Sequence, residues 1–309
     1  MGASDTTGQN ARRVTLLVVT FNSEDRLPGF FESLPRGLAD VPDYEVVVAD
    51  NGSRDRSVDV AKALWPSATI VPIGRNAGYA AGINAAVLAA GPSDAILVLN
   101  DDIQLGDHSI RHLLDAIEEP DVGIAVPRLV DAEGELLKSL RREPTLSRAL
   151  GEAVLGGKRA GKYAALGEVI EHEGSYYVAT EADWASGCAW LISRECWDTV
   201  GPWDESYFLY AEDIDYALRA RDQGFRLRLA PEAIAVHSVG PSHEVPRLWA
   251  MSVWNRYRLY RGRHGALRSA LFRLSLLLNE ALRAIRGGPI HKAGFAALLR
   301  STNRPEEVR

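Results

Sequence analysis

The chain of 309 residues is long enough for one large α/β domain with an appendage. Its 46% hydrophobic and 25% charged residues exclude a disordered or collagen-like polymer, and two cysteines, Cys188 and Cys196, exclude a disulfide framework or a structural zinc cluster. The net charge of −6 hides a basic end: from Arg247 onward there are 13 Lys and Arg against 3 Asp and Glu, a tail-only bias that argues against a nucleic-acid binder.

Residues 1–13 read as a disordered tail. MGASDTTGQN lacks a basic start followed by an apolar stretch, so no secretory leader is expected, and with reduced cysteines a cytoplasmic protein is. Val14–Thr20 (VTLLVVT) is a continuous apolar, β-branched run, the pattern of a strand buried on both faces. Glu45–Asp50 and Ala95–Asn100 repeat it, with a shorter strand at Thr69–Ile73. Helical patterns at Glu24–Leu34, Arg54–Leu64 and Ala80–Ala90 alternate with these strands and predict a doubly wound, mostly parallel sheet. Its ligand-binding rim is then set by Thr20, Phe21 and Asn22, by Asp50, Asn51 and Gly52, and by Asn100, Asp101 and Asp102. Residues 131–182, glycine-rich and charged, read as an insertion or mobile segment. A helix over Ala211–Arg221 with a stop at Gly224, and two strands at Arg226–Leu229 and Ala233–His237, follow. After Pro246 comes a basic, aromatic stretch and an amphipathic helix with Leu267, Leu271, Leu274, Leu278, Leu282 and Ile285 on one stripe. No run reaches the ~18 apolar residues of a spanning helix.

Three rim motifs carry chemistry and each has a plain structural alternative. The Asp101–Asp102 doublet either caps the next helix as a solvated turn or holds a divalent cation on a diphosphate. Asp50 either shapes a turn or accepts hydrogen bonds from a base or ribose. Asn76, Gly78, Gly82 and Asn84 either start a glycine-capped helix or admit a ligand to the backbone. Glu212, Asp213 and Asp215 open a helix and are either an acidic first turn or, because the N-terminal dipole favours an ionised Asp213, the source of a base.

Taken together and in order, TFNS at Thr20, ADNGSRD around Asp50, NAGYAAGIN at Asn76, LNDD at Leu99 and SGCAWLISRECWDTVGPWDESYFLYAEDIDYALR at Ser186 resemble glycosyltransferase family 2, in particular bacterial rhamnosyltransferases of cell-wall and polysaccharide assembly. The resemblance implies a GT-A fold, α/β and Rossmann-like, with a catalytic domain over 14–245 (nucleotide-sugar half 14–102, acceptor half 103–245) and a basic helical extension over 246–309. It implies an inverting transferase that moves one sugar from a nucleotide-diphosphate donor, with dTDP-rhamnose expected first and UDP-sugars as the alternative. By the same resemblance Asp50 reads the base within the Thr20–Asn22 turn, Asp102 and His237 hold Mn2+ or Mg2+, and Asp213 of the Glu212–Asp213 pair is the catalytic base. Asn100 stands where the family usually has the first aspartate of its acidic motif. Trp184, Ser186 and Gly187 line the acceptor side, the acceptor being a glycan or a polyprenyl-diphosphate-linked sugar, with a soluble natural product as the alternative.

Competing classes are weaker. No Gly-x-Gly-x-x-Gly follows the first strand, which disfavours a nucleotide-binding dehydrogenase. An inactive scaffold would not need Asp50, Asp102, Asp213 and His237 together. The motif and spanning helices of processive synthases are absent, so one sugar per encounter is expected. The basic extension with its leucine stripe is the composition of a helix lying in a membrane interface; packing on the domain or pairing of two subunits is the alternative.

Overall fold

The computed structural model describes residues 12–238, 245–286 and 288–300. The expected tail at residues 1–11 and the end of the basic extension at 301–309 lie outside them. Arg13 is not part of a free tail: its N–H donates to Asp94 at 2.8 Å and its side chain pairs with Asp43 and Glu45.

All seven residues of β1 (Val14–Thr20) are buried. The strand lies inside a sheet, with β2 (Tyr44–Asp50) and β4 (Ala95–Asn100) parallel to it on either side and β3 (Thr69–Pro72) beyond β2. Beyond β4 the direction changes. β10 (Ala189–Ser193) is antiparallel to both β4 and β6 (Val122–Val130); β11 (Arg226–His237) then runs parallel to β6, and β5 (Ile103–Leu105) closes that edge antiparallel to β11. β8 (Glu181–Ala182) adds to β11, and β7 (Leu140–Arg141) pairs with β9 (Trp184–Ala185) in a separate ladder.

The two-residue period of β1 sorts its side chains into two cores. Val14, Leu16 and Val18 meet α1 (Leu27–Gly37), α2 (Ser57–Leu64) and α4 (Ser109–Ala116) on one face; Leu17 and Val19 meet α3 (Tyr79–Ala89), α7 (Arg194–Val200) and α8 (Glu212–Asp222) on the other. Each such side chain, fully buried, contributes ~1.5–3 kcal/mol. Because β1, β2 and β4 are in register, Thr20 lies beside Asp50 and Val19 beside Asn100, so the polar strand ends share one rim as the alternation predicts.

Three expectations are corrected. Residues 131–182 are folded: α5 (Leu146–Leu155), capped by Thr145, and α6 (Gly157–Ala160) lie here, and Tyr176 is fully buried with its hydroxyl between Leu140 N and Ile170 O. The two strands after Gly224 are one, Arg226–His237, interrupted by a register shift between Ala230 and Ile234. The described residues of the basic extension form three helices, α9 (Pro246–Arg263), α10 (Ala266–Ile285) and α11 (Pro289–Leu299), which build a third core with α5 around Val253, Tyr257, Tyr260, Phe272 and Leu276. Several of its arginines serve the protein itself. Arg256 joins Glu152 and Glu168, Arg263 pairs with Asp222, and Arg273 donates to Leu298 O.

Candidate active site

The donor side of the rim is built by short-range hydrogen bonds. Thr20 Oγ1 donates to Asp50 Oδ1 at 3.2 Å, and Ser53 N donates to Asp50 Oδ2 at 3.2 Å. Phe21 N is held by Ser23 Oγ, and Asn22, left-handed at φ 51°, donates through its N–H to Ser53 Oγ and accepts from Arg54 N. Asparagine tolerates that backbone where most residues do not. Buried Asn51 anchors the loop before α3, donating to Asn76 Oδ1 and Gly78 O and accepting from Ala77 N.

Gly78 is needed twice over: φ is +98°, and a Cβ would fall 2.4 Å from Phe208 O. Further along α3 the neighbours are protein. A Cβ on Gly82 would meet Val19 at 2.6 Å, and the amide of Asn84 exchanges hydrogen bonds with the Trp203 backbone and donates to Glu205. Gly82 and Asn84, expected among donor contacts, thus serve helix–sheet and helix–loop packing.

At the end of β4, Asn100 N donates to Cys188 O, tying the rim to β10. Asp101 turns toward the first βα turn, where it accepts from Ser23 and pairs with Arg26 at 2.7 Å. Asp102 differs. Its Oδ1 is buried with no hydrogen-bond donor among the described residues, and His237 Nε2 lies 3.4 Å away, delivered by the pairing of His237 with Ile103. Burial pulls the His237 pKa down, yet Asp102 and Cys188 outweigh it and raise it to about 10. Asp102 Oδ1 and His237 Nε2 are groups of the kind that would hold a divalent cation here. No cluster of three or more protein donors for a metal occurs among the described residues.

The acceptor side faces α8. Asp213 Oδ2 accepts from Gly187 N at 3.1 Å and Oδ1 from Ile214 N at 2.8 Å. A Cβ on residue 187 would sit 2.8 Å from the Asp213 Cβ, so the glycine permits this approach. Burial raises the Asp213 carboxyl to about 6, against the hydrogen bonds from Ile214 and Gly187 and the charge of Arg141, which lower it. The expectation that the helix N-terminus keeps it an easily ionised acid is corrected: desolvation outweighs the dipole. A base closer to neutrality takes a proton more effectively. Its neighbour Glu212 is 4% exposed, its Oε2 has no partner among the described residues, and burial together with Asp213 pushes its pKa up. Glu212 thus lies inside the protein, next to Asp213.

Trp184 is the half-buried tryptophan of this segment; its Nε1 donates to Arg142 O, while Trp190, Trp197 and Trp203 are core. Ser186 O accepts from Trp190 Nε1. Tyr79 links the two sides, donating to Gly187 O at 3.3 Å, and its raised pKa, due first to burial, also reflects Cys188, Glu212, Asp101 and Asp102. The turn ahead of α8 has two consecutive non-glycine residues in left-handed conformation, Tyr210 and Ala211. It is clamped from α9: Asn255 donates to Leu209 O and Tyr210 O, and Arg258 donates to Ser206 O and covers the Tyr207 ring at 4.6 Å. Tyr79, Arg141 and Asn255 escape the sequence reading. A lone Asn inside the aromatic α9 pattern is the one signal that points to any of them.

The Rossmann-like sheet that changes direction at β10, with its polar strand ends on one rim, is a GT-A fold. The family model of glycosyl transferase family 2 matches residues 15–180. The chain belongs to glycosyl transferase family 2. It is 31% identical, over 72% of its length and 75% of the relative's, to N-acetylglucosaminyl-diphospho-decaprenol L-rhamnosyltransferase of Mycobacterium tuberculosis. It is 26% identical to rhamnosyltransferase WbbL of Escherichia coli, over 72% and 83% of the two chains. The fold is shared with a mannosyltransferase of Pyrobaculum calidifontis solved with GDP-mannose and Mn2+, at TM-score 0.55, 18% identity, and coverage of 95% of this chain and 77% of that one.

Proposed function

We propose that the protein transfers one L-rhamnose, with inversion, from dTDP-rhamnose to a hydroxyl of a polyprenyl-diphosphate-linked sugar at the inner face of the cytoplasmic membrane. The observation that carries this reading is Asp213, held by Gly187 N beside Trp184 and raised by burial into the range of a working base. Asp213 takes the proton of the acceptor hydroxyl as that oxygen bonds to the anomeric carbon, and the bond from that carbon to the nucleotide diphosphate breaks on the opposite face. Trp184 offers its ring to the acceptor sugar. Thr20, Phe21, Asn22 and Asp50 hold the nucleoside, with Asn76 and Gly78 shaping the adjoining loop. Asp102 and His237 are the residues that would hold Mn2+ or Mg2+, which supplies positive charge to the departing diphosphate. The relatives named as rhamnosyltransferases, one of them for a diphospho-decaprenol acceptor, support this donor and acceptor class. Release of dTDP or UDP from a panel of sugar nucleotides, with and without each cation, tests it. Turnover is expected with dTDP-rhamnose and cation; turnover with UDP-sugars alone would overturn the donor.

The membrane reading rests on α10. Its buried face carries Ser269, Phe272, Ser275, Leu276 and Glu280, whereas Leu267, Leu271, Leu274, Leu278, Leu282 and Ile285 are all exposed. Arg261, Arg268, Arg286 and Lys292 are exposed as well. Cations of this kind near an anionic leaflet contribute ~1 kcal/mol each, and exposed leucines enter the acyl boundary. No helix of the described residues is long and apolar enough to cross a membrane. Removing the whole extension would open the third core, so point changes are the cleaner test. Leu271→Glu with Leu278→Glu is expected to abolish flotation with phosphatidylglycerol vesicles while transfer to a short-chain soluble acceptor continues. Unchanged flotation, or a wild-type dimer that the same substitutions dissociate, would assign the stripe to something other than lipid.

A further inference from the structure

The wall that carries Trp184 also carries a cation with no ion-pair partner among the described residues. Arg141 lies directly opposite Trp184 in the β7–β9 ladder, so the two side chains share a face, with the guanidinium carbon 5.8 Å from the ring centroid. Nη1 donates to Lys138 O at 2.5 Å and Leu140 O at 3.2 Å, which fixes one prong of the fork. Among the described residues no carboxylate forms an ion pair with it. The surrounding arginines are spent differently. Arg142 donates to the carbonyls of Gly161, Gly167 and Val169, Arg221 pairs with Glu143 and Asp183, and Arg256 with Glu152 and Glu168.

Burial lowers the Arg141 pKa, while Tyr176, Glu168, Glu152 and Asp213 act in the opposite sense. A half-buried guanidinium without a carboxylate is costly unless an anion arrives to complete it. That anion is on the acceptor's side of the reaction. Inversion places nucleophile and leaving group on opposite faces of the anomeric carbon, so a cation grouped with Trp184 and felt by Asp213 is remote from the departing diphosphate. In a diphosphate-linked acceptor the charged group stands one sugar ring from the attacking hydroxyl. The geometry points to Arg141 as the residue that binds the acceptor's own diphosphate, with Nε and Nη2 as donors, while Trp184 holds the intervening sugar. This rests on the proposed acceptor class and on Asp213 as base.

Two synthetic probes test it: N-acetylglucosaminyl diphosphate carrying a citronellyl chain, and the neutral citronellyl N-acetylglucosaminide. At about pH 8, above the range in which Asp213 titrates, Arg141→Gln is expected to raise KM for the diphosphate probe about 10–100-fold, the usual worth of hydrogen bonds to a charged group, with a smaller change in kcat and little change for the neutral probe. Arg141→Lys should restore part of the loss, since it keeps the charge without the fork. Equilibrium binding of the diphosphate probe, followed by tryptophan fluorescence, should weaken in parallel without transfer. Equal effects on both probes, or none, would overturn the assignment, as would failure of the wild-type protein to bind the diphosphate probe. Binding lost in Arg141→Gln with no transfer by the wild type from any donor would instead overturn the proposed reaction and leave the diphosphate site standing. A melting temperature equal to wild type separates lost binding from lost folding.

Discussion

Replacing Asp213 by Asn is expected to lower kcat by ~10²–10⁴-fold while donor affinity, measured by nucleotide titration, stays near wild type. An amide has the shape of the carboxylate, and its oxygen can keep the bond from Gly187 N while only the local one from Ile214 N is lost, so the wall around Trp184 should survive. It cannot take the proton of the attacking hydroxyl. The pH profile supplies an independent check. Asp213 works only when ionised, and burial raises its pKa to about 6. Wild-type kcat should therefore be level above that pH and fall about tenfold per unit below it, and the residual rate of Asp213→Asn should lack that acid limb. Turnover close to wild type, or an acid limb retained in the variant, would remove Asp213 from the role of base.

Asp102→Ala and His237→Ala should weaken donor binding by at least ~10–100-fold and shift the cation concentration needed for half-maximal activity, because each removes a group suited to hold the ion on the diphosphate. Asp102→Ala is the more discriminating of the two. Its Oδ1 accepts no hydrogen bond from the described residues and meets His237 Nε2 at 3.4 Å, so the fold loses that single pairing and thermal melts must accompany the titration. Stability preserved with donor affinity lost is what a ligand predicts; stability lost with unchanged donor and cation dependence is what a packing residue predicts. Titrating donor against Mn2+ and Mg2+ in both variants, alongside thermal melts, distinguishes them.

The parallel strands β1 and β4 are legible because they are buried on both faces. Val14–Thr20 and Ala95–Asn100 read as continuous apolar runs, and their polar ends mark the rim without ambiguity. Residues 131–182 resisted for the opposite reason. Their order comes from distant partners: Arg256, far along the chain, satisfies Glu152 and Glu168, and Tyr176 fills a space under Leu140. Nothing local in a glycine-rich stretch announces such contacts. The leucine stripe of α10 was visible as a period, but a period does not say which face meets the core. Here the packed face includes Glu280, buried between Trp249 and His291, and the leucines look outward. The acidity of Asp213 was misjudged because a helix start is written in sequence and desolvation is not. Arg141 went unnoticed since an arginine's missing partner is visible only in three dimensions.

The pair of left-handed residues before α8 has a consequence for what counts as a domain. Non-glycine residues in that conformation cost about 1–3 kcal/mol each and persist only where the surroundings over-determine them. Tyr210 and Ala211 are held in it by Asn255 and by Leu259 packed against Tyr207, Ala211, Ile214 and Leu218. The compositional border near residue 245 is therefore not a seam. Asp213, the proposed base, follows a turn whose shape is underwritten from the far end of the chain, so grafting residues 14–245 onto a foreign C-terminal segment would transplant the residues and leave behind the leverage that aims them.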